Sequence, residues 1–364
     1  MKSLLLRYGA YGDLIYILPL VDRLVADGKE VYLHTGLRGL DIFRGDPRFK
    51  SILISNPGTA EDLQAIIEKD IESVNPDEFI NLTDTMEGTL IPGSEIDSFF
   101  WTVETRRKFS KGEDFYSLAL KVAGYPAPRA FGECGTVAYA NFELDWADRW
   151  RKIHEDHFIV MMPVTGSNAQ KRFSIAKDLG KKILDRYPDA VLYLMGGRGD
   201  KDRAFSFGNG RVYPAFEISF RQALLMARYV DYVVGPETGL VVGAGMWGTP
   251  KTMLCTASSV FMATNGQRND YSRQAALACS PCLRAIYKPE DCYHPQVVPD
   301  VNLCNFYFDQ GEILDSIDLV YRQMRYRRDL DANLRTAPIR VSELLPDLGG
   351  LPDHAEPLRS GVHG

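Results

Sequence analysis

The chain opens with a short apolar segment that leads through a glycine turn into an amphipathic helix, and no other local pattern constrains the fold as strongly. Ser3–Arg7 has the length and apolar content of a β-strand. The turn Gly9–Asp13, with the sequence GAYGD, comes next, and Leu14–Ala26 then carries apolar residues at helical spacing. A second strand is predicted over Lys29–His34. This order is the start of a βαβ unit, which indicates a parallel sheet.

The same alternation returns in the second half of the chain. Further strands are predicted over Phe158–Met162, Ala190–Met195, Tyr232–Val234 and Lys251–Cys255, with helices over Ile175–Tyr187, Phe220–Tyr229 and Gly239–Trp247. We therefore predict an α/β protein of two doubly wound parallel-sheet domains. The predicted divisions are an N-terminal domain over residues 1–145, a linker over 146–156, a C-terminal domain over 157–329 and a proline-interrupted tail over 330–364.

Composition excludes several classes of protein. The 364 residues are 45% apolar and 25% charged, with a net charge of -6, which is typical of a globular protein and not of a disordered chain. The mild acidity argues against a nucleic-acid binder that relies on bulk positive charge. No apolar run approaches about 18 residues and no signal-peptide pattern is found, so we expect a cytoplasmic protein. The basic helix end Arg325–Arg328 suggests peripheral contact with a membrane surface.

Gly12 and Asp13 stand at the carboxyl end of the first predicted strand, where open α/β sheets bind their ligands. Glycine permits a tight turn and a close approach of the backbone to a ligand. The spacing G-x-x-G-D differs from the dinucleotide fingerprint G-x-G-x-x-G, so a nicotinamide cofactor is not supported. Asp13 fits two roles, that of a residue capping the following helix and that of a general base in a ligand crevice.

A second candidate site lies in the other half of the chain. Thr238 and Gly239 begin a predicted helix directly after a strand, and the N-terminus of a helix attracts phosphate. Lys171 follows another strand of this half, after a turn that contains Thr165, and adds a cation at the same edge of the sheet. Helix capping by threonine and a solvated surface charge are the alternatives for these residues.

Together these segments resemble the heptosyltransferase family, which is glycosyltransferase family 9. The resemblance covers residues 2–325 and rests on Leu6–Leu14, Pro163–Phe173 and Tyr232–Pro250, where the family has a G-x-x-G-D turn, a K-R-W-P segment and a D-[ST]-G step before a helix. It implies the GT-B fold, in which two such domains face each other across a cleft. It also implies an inverting transfer of a sugar from a nucleotide-diphosphate donor to a hydroxyl of a glycan or another acceptor.

The resemblance also assigns roles to individual residues. Asp13 would be the general base that deprotonates the acceptor hydroxyl. The donor-binding residues would be Gly12, Thr165, Lys171, Glu237, Thr238 and Gly239. Glu237 replaces the usual aspartate of the family and Val242 stands where histidine is common, so the donor sugar is not assigned to heptose. No cofactor is expected. A GT-B-type sugar-nucleotide epimerase and a non-catalytic nucleotide-sugar binder are the alternative functions.

A basic segment with a tryptophan lies in the half of the chain that would receive the acceptor. Its residues are Trp101, Arg106, Arg107 and Lys108. Such a segment could meet an anionic glycan, a lipid-linked phosphate or a nucleic acid, or it could be an ordinary solvated surface. No other feature of the sequence supports a nucleic-acid acceptor.

Four of the six cysteines fall in one proline-rich stretch. They are Cys279, Cys282, Cys292 and Cys304. Their number and the initial C-x-x-C spacing are compatible with a tetrahedral zinc site, although the later spacing is not a paired C-x-x-C pattern. Zinc, reduced thiols and disulfides are therefore all open for this segment.

Overall fold

The predicted alternation of strands and helices forms two parallel β-sheets. The computed structural model describes residues 1–56, 60–82, 104, 112–126, 131–166, 171–282 and 303–336. In the first sheet the strand order is β3-β2-β1-β4, and every neighbouring pair is parallel. Its strands are β1 (Lys2–Leu6), β2 (Glu30–Thr35), β3 (Phe49–Ile54) and β4 (Glu78–Asn81).

The second sheet has the strand order β10-β9-β8-β5-β6-β7, again with parallel pairing throughout. Its strands are β5 (Phe158–Pro163), β6 (Ala190–Met195), β7 (Val212–Ala215), β8 (Tyr232–Pro236), β9 (Lys251–Cys255) and β10 (Arg273–Gln274). Neither β7 nor the two-residue β10 is predicted from the sequence. The predicted α/β class with two parallel sheets is confirmed.

The α-helices of the described residues connect these strands. They are α1 (Tyr11–Ile15), α2 (Leu18–Ala26), α3 (Leu37–Phe43), α4 (Ala60–Val74), α5 (Phe115–Val122), α6 (Asn141–Ile153), α7 (Ala176–Arg186), α8 (Phe220–Met226), α9 (Gly239–Trp247), α10 (Val260–Thr264) and α11 (Gln310–Thr336). Short 3-10 helices cover Arg198–Arg203 and Leu303–Tyr307.

The central strands are visible in the sequence because they are fully buried. Leu4, Leu5 and Leu6 of β1 are 0% exposed, and every residue of β5 is buried. A strand of a parallel sheet that is covered on both faces needs a nearly continuous apolar run. The polar first residue of β2, Glu30, is exposed and belongs to the end of its strand.

The helix predicted over Leu14–Ala26 is interrupted, and the expectation of one continuous helix is wrong. α1 ends at Ile15, and α2 begins at Leu18 with Pro19 in its first turn. Proline has no N–H to donate to a preceding turn, and its fixed φ suits the first turn of a new helix. The result is a separate short helix, α1, that carries Gly12 and Asp13.

The chain divides into two compact units, Met1–Tyr321 and Arg322–Gly364. Both sheets belong to the first unit, so the predicted domain boundary over 146–156 stays a prediction. Helix α11 continues past residue 330, where the tail was predicted to begin, and reaches Thr336 because the first proline beyond it is Pro338. Among the described residues, no helix is both long and apolar enough to cross a membrane. The cytoplasmic location stays a prediction.

A buried arginine joins elements from both halves of the chain. Arg221 of α8 has a side chain that is 2% exposed, and its guanidinium binds both carboxylate oxygens of Glu143 in α6, at 2.6 and 2.7 Å. It also donates to the carbonyl oxygen of Ala138, at 2.7 Å, and to that of Ile42 in α3. The ring centroid of Tyr139 lies 4.4 Å from the guanidinium carbon. The rigid, planar fork of arginine suits this set of acceptors, which the ammonium of lysine could not bind in the same way.

Aromatic side chains of the first helices pack on the second half of the chain near the same place. Tyr11 stacks on Phe220, with ring centroids 3.7 Å apart and an interplanar angle of 4°. The buried Tyr16 donates a hydrogen bond of 3.0 Å to the carbonyl oxygen of Ala263. The region around α1 is thus fixed against elements that follow the second sheet's strands.

We expect Arg221→Met to reduce the free energy of unfolding by about 3–5 kcal/mol, because it removes a buried guanidinium and leaves the partly buried Glu143 carboxylate with only the more exposed Arg44, at 3.9 Å, as a cation. The matched control is Arg198→Met, which removes an ion pair to Glu217 from a side chain that is 82% exposed. The control should lose less than about 1 kcal/mol. Urea unfolding followed by fluorescence measures both losses, and equal losses for the two variants would show that Arg221 does not join the halves.

Candidate functional site

Asp13 lies in the first turn of α1, and neighbouring groups orient its carboxylate. Oδ2 accepts a hydrogen bond of 2.7 Å from the N–H of Ala10, as in a capping box. Nη2 of Arg7 lies 3.7 Å from Oδ1. The Arg7 side chain is 0% exposed and donates a hydrogen bond of 2.9 Å to the carbonyl oxygen of Leu82, whereas the Asp13 side chain is 23% exposed. The capping role of Asp13 is confirmed, and its catalytic role stays a prediction.

Arg7 explains why this carboxylate keeps one orientation. A guanidinium buried in a protein is costly unless an anion and hydrogen-bond acceptors lie close to it. Asp13 provides that anion, and it does so from the side of the turn that solvent can reach. The pair therefore presents a positioned carboxylate at the carboxyl end of β1, where ligands of α/β proteins bind.

Gly239 is a glycine because the two halves of the chain touch at this residue. A Cβ added to Gly239 would lie 2.7 Å from the backbone nitrogen of Gly12 and 2.8 Å from the Cβ of Tyr11. Both distances are too short for any side chain to fit without a shift of the backbone. The sequence favours contact with a ligand as the reason for this glycine, and the packing of α9 on α1 supplies a structural reason for it.

Thr238 caps α9. Its Oγ1 accepts a hydrogen bond of 3.4 Å from the N–H of Val241, so the predicted capping alternative is confirmed. The buried Val242, which stands where the family commonly has histidine, faces the glycine turn of the first half: a Cβ on Gly12 would lie 3.8 Å from its Cγ2. An apolar side chain thus lies beside the contact between Gly12 and Gly239.

Lys171 and the preceding turn lie beside the start of α9. A Cβ added to Gly166 would lie 2.5 Å from the Cβ of Lys171 and 3.3 Å from Cγ2 of Thr238. The hydroxyl of Thr165 is directed to the carbonyl oxygen of Gly166, at 3.3 Å. Within the described part of the chain, Lys171 makes no ion pair. The structure therefore brings Thr165, Lys171 and Thr238 together, as the sequence predicted for a phosphate site.

Glu237 is directed to the loop that follows β9. Its carboxylate is buried and accepts hydrogen bonds from the N–H groups of Thr256 (3.1 Å), Ala257 (2.9 Å) and Ser258 (2.6 Å), and from Oγ1 of Thr256 (3.0 Å). These bonds fix the backbone of three consecutive residues at the carboxyl edge of the second sheet. Glu237 therefore orders this loop, and its direct contact with a donor stays a prediction.

The two carboxylates of the candidate site both lie close in sequence to the contact between Gly12 and Gly239. Asp13 follows Gly12 directly, and Glu237 precedes Gly239 by two positions. A Cβ added to Gly239 would lie 2.7 Å from the backbone nitrogen of Gly12. Asp13, from the first half, and Glu237, from the second, therefore belong to one region of the molecule.

Other predicted sites fall wholly or partly outside the described residues. Trp101, Arg106, Arg107, Lys108 and Cys292 are not among them. In the described ranges, no group of three or more His, Cys, Asp and Glu side chains is arranged to hold a metal ion. Because Cys292 lies outside those ranges, the zinc hypothesis for Cys279, Cys282 and Cys304 with this residue stays a prediction. Arg325–Arg328 lie on α11, and their membrane contact is likewise untested.

Two features of the first half are not predicted from the sequence. Arg7 could have been noticed, because an arginine at the end of a buried apolar strand requires a partner. The second feature is a hydrogen-bonded cluster of Tyr8, His34, Ser55 and Asp70. No local pattern predicts this cluster, because its members are separated by up to 62 positions and come from four different segments.

Comparison with known proteins bears on the fold. No protein-family model and no curated protein matches the sequence. A glycosyl transferase family 9 structure from Veillonella parvula DSM 2008 superposes with a TM-score of 0.64, at 10% identity, over 88% of this chain and 97% of that one. The ADP-heptose LPS heptosyltransferase II of E. coli gives 0.58, at 12% identity, over 89% and 100%.

A third structure is the dodecameric iron-containing heptosyltransferase TibC of enterotoxigenic E. coli, in complex with ADP-D-beta-D-heptose. It superposes with a TM-score of 0.55 at 11% identity, over 88% of this chain and 76% of that one. The chain has the fold of these glycosyltransferases. The predicted GT-B-type architecture and the resemblance to glycosyltransferase family 9 are thus confirmed in the three-dimensional structure.

The contacts of Glu237 predict the effect of one substitution. Glu237→Gln places an amide NH2 against backbone N–H groups, so at least one donor loses its acceptor, and the free energy of unfolding should fall by about 1–3 kcal/mol. The amides of Thr256–Ser258 should also exchange with solvent faster, which native-state hydrogen exchange measures. Glu217→Gln, at a carboxylate that is 54% exposed, is the control. Unchanged exchange of the loop amides in Glu237→Gln would contradict this role.

Proposed function

We propose that the protein is an inverting glycosyltransferase that moves a sugar from a nucleoside-diphosphate donor to the hydroxyl of an acceptor. The observation that carries this proposal is the contact between Gly12 and Gly239. It brings an oriented carboxylate, Asp13, next to the start of α9 and, through Thr238, to Lys171. A base and a site for phosphate charge are the two components that this reaction requires.

Asp13 would act as the general base. An inverting transfer needs a group that removes the proton from the acceptor hydroxyl as its oxygen attacks the anomeric carbon, and a positioned carboxylate can do this. Oδ2 of Asp13 already accepts one hydrogen bond, from the N–H of Ala10, and Nη2 of Arg7 lies 3.7 Å from Oδ1. These contacts orient the carboxylate, while its partial exposure leaves room for an approaching hydroxyl.

The donor diphosphate would bind at the start of α9. When the bond between the sugar and the diphosphate breaks, the leaving group gains negative charge, and fixed positive groups near it lower the barrier. The unpaired N–H groups at the start of α9 carry partial positive charge, and Lys171 adds a full one next to Thr238. Gly166 leaves space at this position, because a side chain there would collide with Lys171.

The similar structures support a nucleotide sugar as the donor, since one of them is a heptosyltransferase in complex with ADP-D-beta-D-heptose. The sugar itself stays open. Val242 offers no hydrogen bond where the family commonly has histidine, and Glu237 turns its carboxylate to the loop after β9. A glycan or another hydroxyl compound is the proposed acceptor.

Nucleotide binding gives the first test. In a thermal-shift screen of nucleoside diphosphates, a ligand at about 100 times its dissociation constant should add about 2.7 kcal/mol of stability. Lys171→Met should weaken the binding of the selected nucleotide by about tenfold or more, because it removes a charge-assisted contact to phosphate. Lys181→Met, at a side chain that is 61% exposed on α7, should leave binding unchanged. A wild-type protein that is stabilised by no nucleotide would contradict the donor site.

Catalysis gives the second test. Asp13→Asn keeps the size of the side chain but removes the base, so the rate of nucleoside-diphosphate release from the donor should fall about 10²–10⁴-fold. The nucleotide selected in the screen should still bind. Asp145→Asn, at an exposed position of α6, serves as the control. If Asp13→Asn turns over within threefold of the wild-type protein, Asp13 is not the base.

A further inference from the structure

Four polar side chains form a connected cluster at the carboxyl end of the first sheet. Tyr8 follows β1, His34 lies near the end of β2, Ser55 follows β3, and Asp70 lies on α4. Nδ1 of His34 is 2.6 Å from Oδ2 of Asp70. Nε2 of His34 is 2.6 Å from the hydroxyl of Tyr8 and 2.7 Å from that of Ser55, and the two hydroxyls also contact each other.

The hydrogens of the cluster follow from its partners. The carboxylate of Asp70 can only accept, so Nδ1 of His34 carries a proton, and in the neutral ring Nε2 is an acceptor. Burial lowers the pKa of His34, with Asp70 opposing the shift, which favours the neutral ring. Nε2 can then take one hydroxyl hydrogen, from Tyr8 or from Ser55. The two hydroxyl oxygens keep acceptor capacity that no group within the cluster uses.

The four residues of the cluster differ in their exposure to solvent. His34 is 1% exposed and the side chain of Asp70 is 16% exposed. Tyr8 and Ser55 are both half-buried, and His34 sets the positions of their hydroxyls. Preorganised hydroxyls of this kind are typical of polar groups that orient a ligand.

The ring of Tyr8 has a glycine beside it. A Cβ added to Gly36, at the start of α3, would lie 3.6 Å from Cδ1 of Tyr8, which is ordinary contact. Gly36 has φ -91° and ψ -174°, a conformation that any residue adopts, so the backbone does not require glycine here. The absence of a side chain leaves this part of the aromatic ring uncovered next to the two hydroxyls.

The location of the cluster relates it to Asp13. Tyr8 lies in the connection between β1 and α1, and Asp13 lies five positions later, in the first turn of α1; β2 and β3 are the next strands of the sheet. The carboxyl edge of an open parallel sheet is where α/β proteins bind ligands. An aspartate, a histidine and two hydroxyls that converge at such an edge are a candidate binding site for a polar ligand.

We propose that Tyr8 and Ser55, positioned by His34 and Asp70, bind the hydroxyl groups of a pyranose ring, and that this site holds the sugar of the acceptor beside Asp13. This proposal rests on the proposed function for the identity of its ligand. Sugar hydroxyls donate to the free lone pairs of the Tyr8 and Ser55 oxygens, and the apolar face of the ring packs on Tyr8 over Gly36. His34 is a positioning residue, because it reaches the ligand only through the two hydroxyls.

Saturation-transfer NMR with the methyl α-glycosides of glucose, mannose and galactose tests the proposal on the full-length protein. At least one glycoside should receive saturation at millimolar concentration. Tyr8→Phe and Ser55→Ala should each weaken its binding about two- to tenfold, the effect of one lost hydrogen bond. Gly36→Val should weaken it by blocking the ring while leaving every hydrogen bond of the cluster in place. Tyr213→Phe, on β7, is the control and should bind as the wild-type protein does.

A parallel measurement of nucleotide binding separates this proposal from the proposed function. If the wild-type protein is stabilised by a nucleotide but no glycoside receives saturation, the sugar site is wrong and the donor site stands. Glycoside binding that is equal in the wild-type protein, Tyr8→Phe, Ser55→Ala and Gly36→Val also overturns the sugar site. If glycoside binding depends on these residues and no nucleotide binds, the sugar site stands and the transferase proposal fails.

Discussion

The guanidinium of Arg221 is the interaction on which the arrangement of the two sheets depends most. It is buried, and it binds a carboxylate on α6 together with carbonyl oxygens of Ala138 and of Ile42 in α3, which belong to different parts of the chain. A buried cation is stable only when all of these acceptors are in place at the same time. This requirement selects one relative position of the segments around the two sheets, and Tyr11 then stacks on Phe220, the neighbour of Arg221.

The close contact between Gly12 and Gly239 follows from that arrangement. The backbone of the turn after β1 approaches the first turn of α9 so closely that a side chain at position 239 has no room. Asp13 follows Gly12 in the sequence and Thr238 precedes Gly239, so both residues are next to this contact. A carboxylate from one half and a helix N-terminus from the other therefore lie next to the same contact, and Asp13 and Thr238 also cap the starts of α1 and α9.

Local patterns in the sequence were sufficient for most of the strands and for several residues of the candidate site. Buried parallel strands need a nearly continuous apolar run, so β1, β5, β6, β8 and β9 were visible in the sequence. Asp13, Lys171 and Thr238 were chosen as candidates because they lie in the turns or helix starts that follow such strands. The exposed, mixed sequence of β7 gave no comparable signal, and the break between α1 and α2 was missed although Pro19 marks it.

The functions of several side chains were decided only by tertiary contacts. Glu237 stands in a motif that suggested donor binding, yet its carboxylate binds the N–H groups of Thr256–Ser258, some twenty positions away. His34 meets Tyr8, Ser55 and Asp70 only because parallel strands align their carboxyl ends at one edge. A sequence specifies where strands, turns and caps occur, since these depend on neighbouring residues. Which distant side chains share a hydrogen bond depends on how the sheets and helices pack, and no pattern within one segment contains that information.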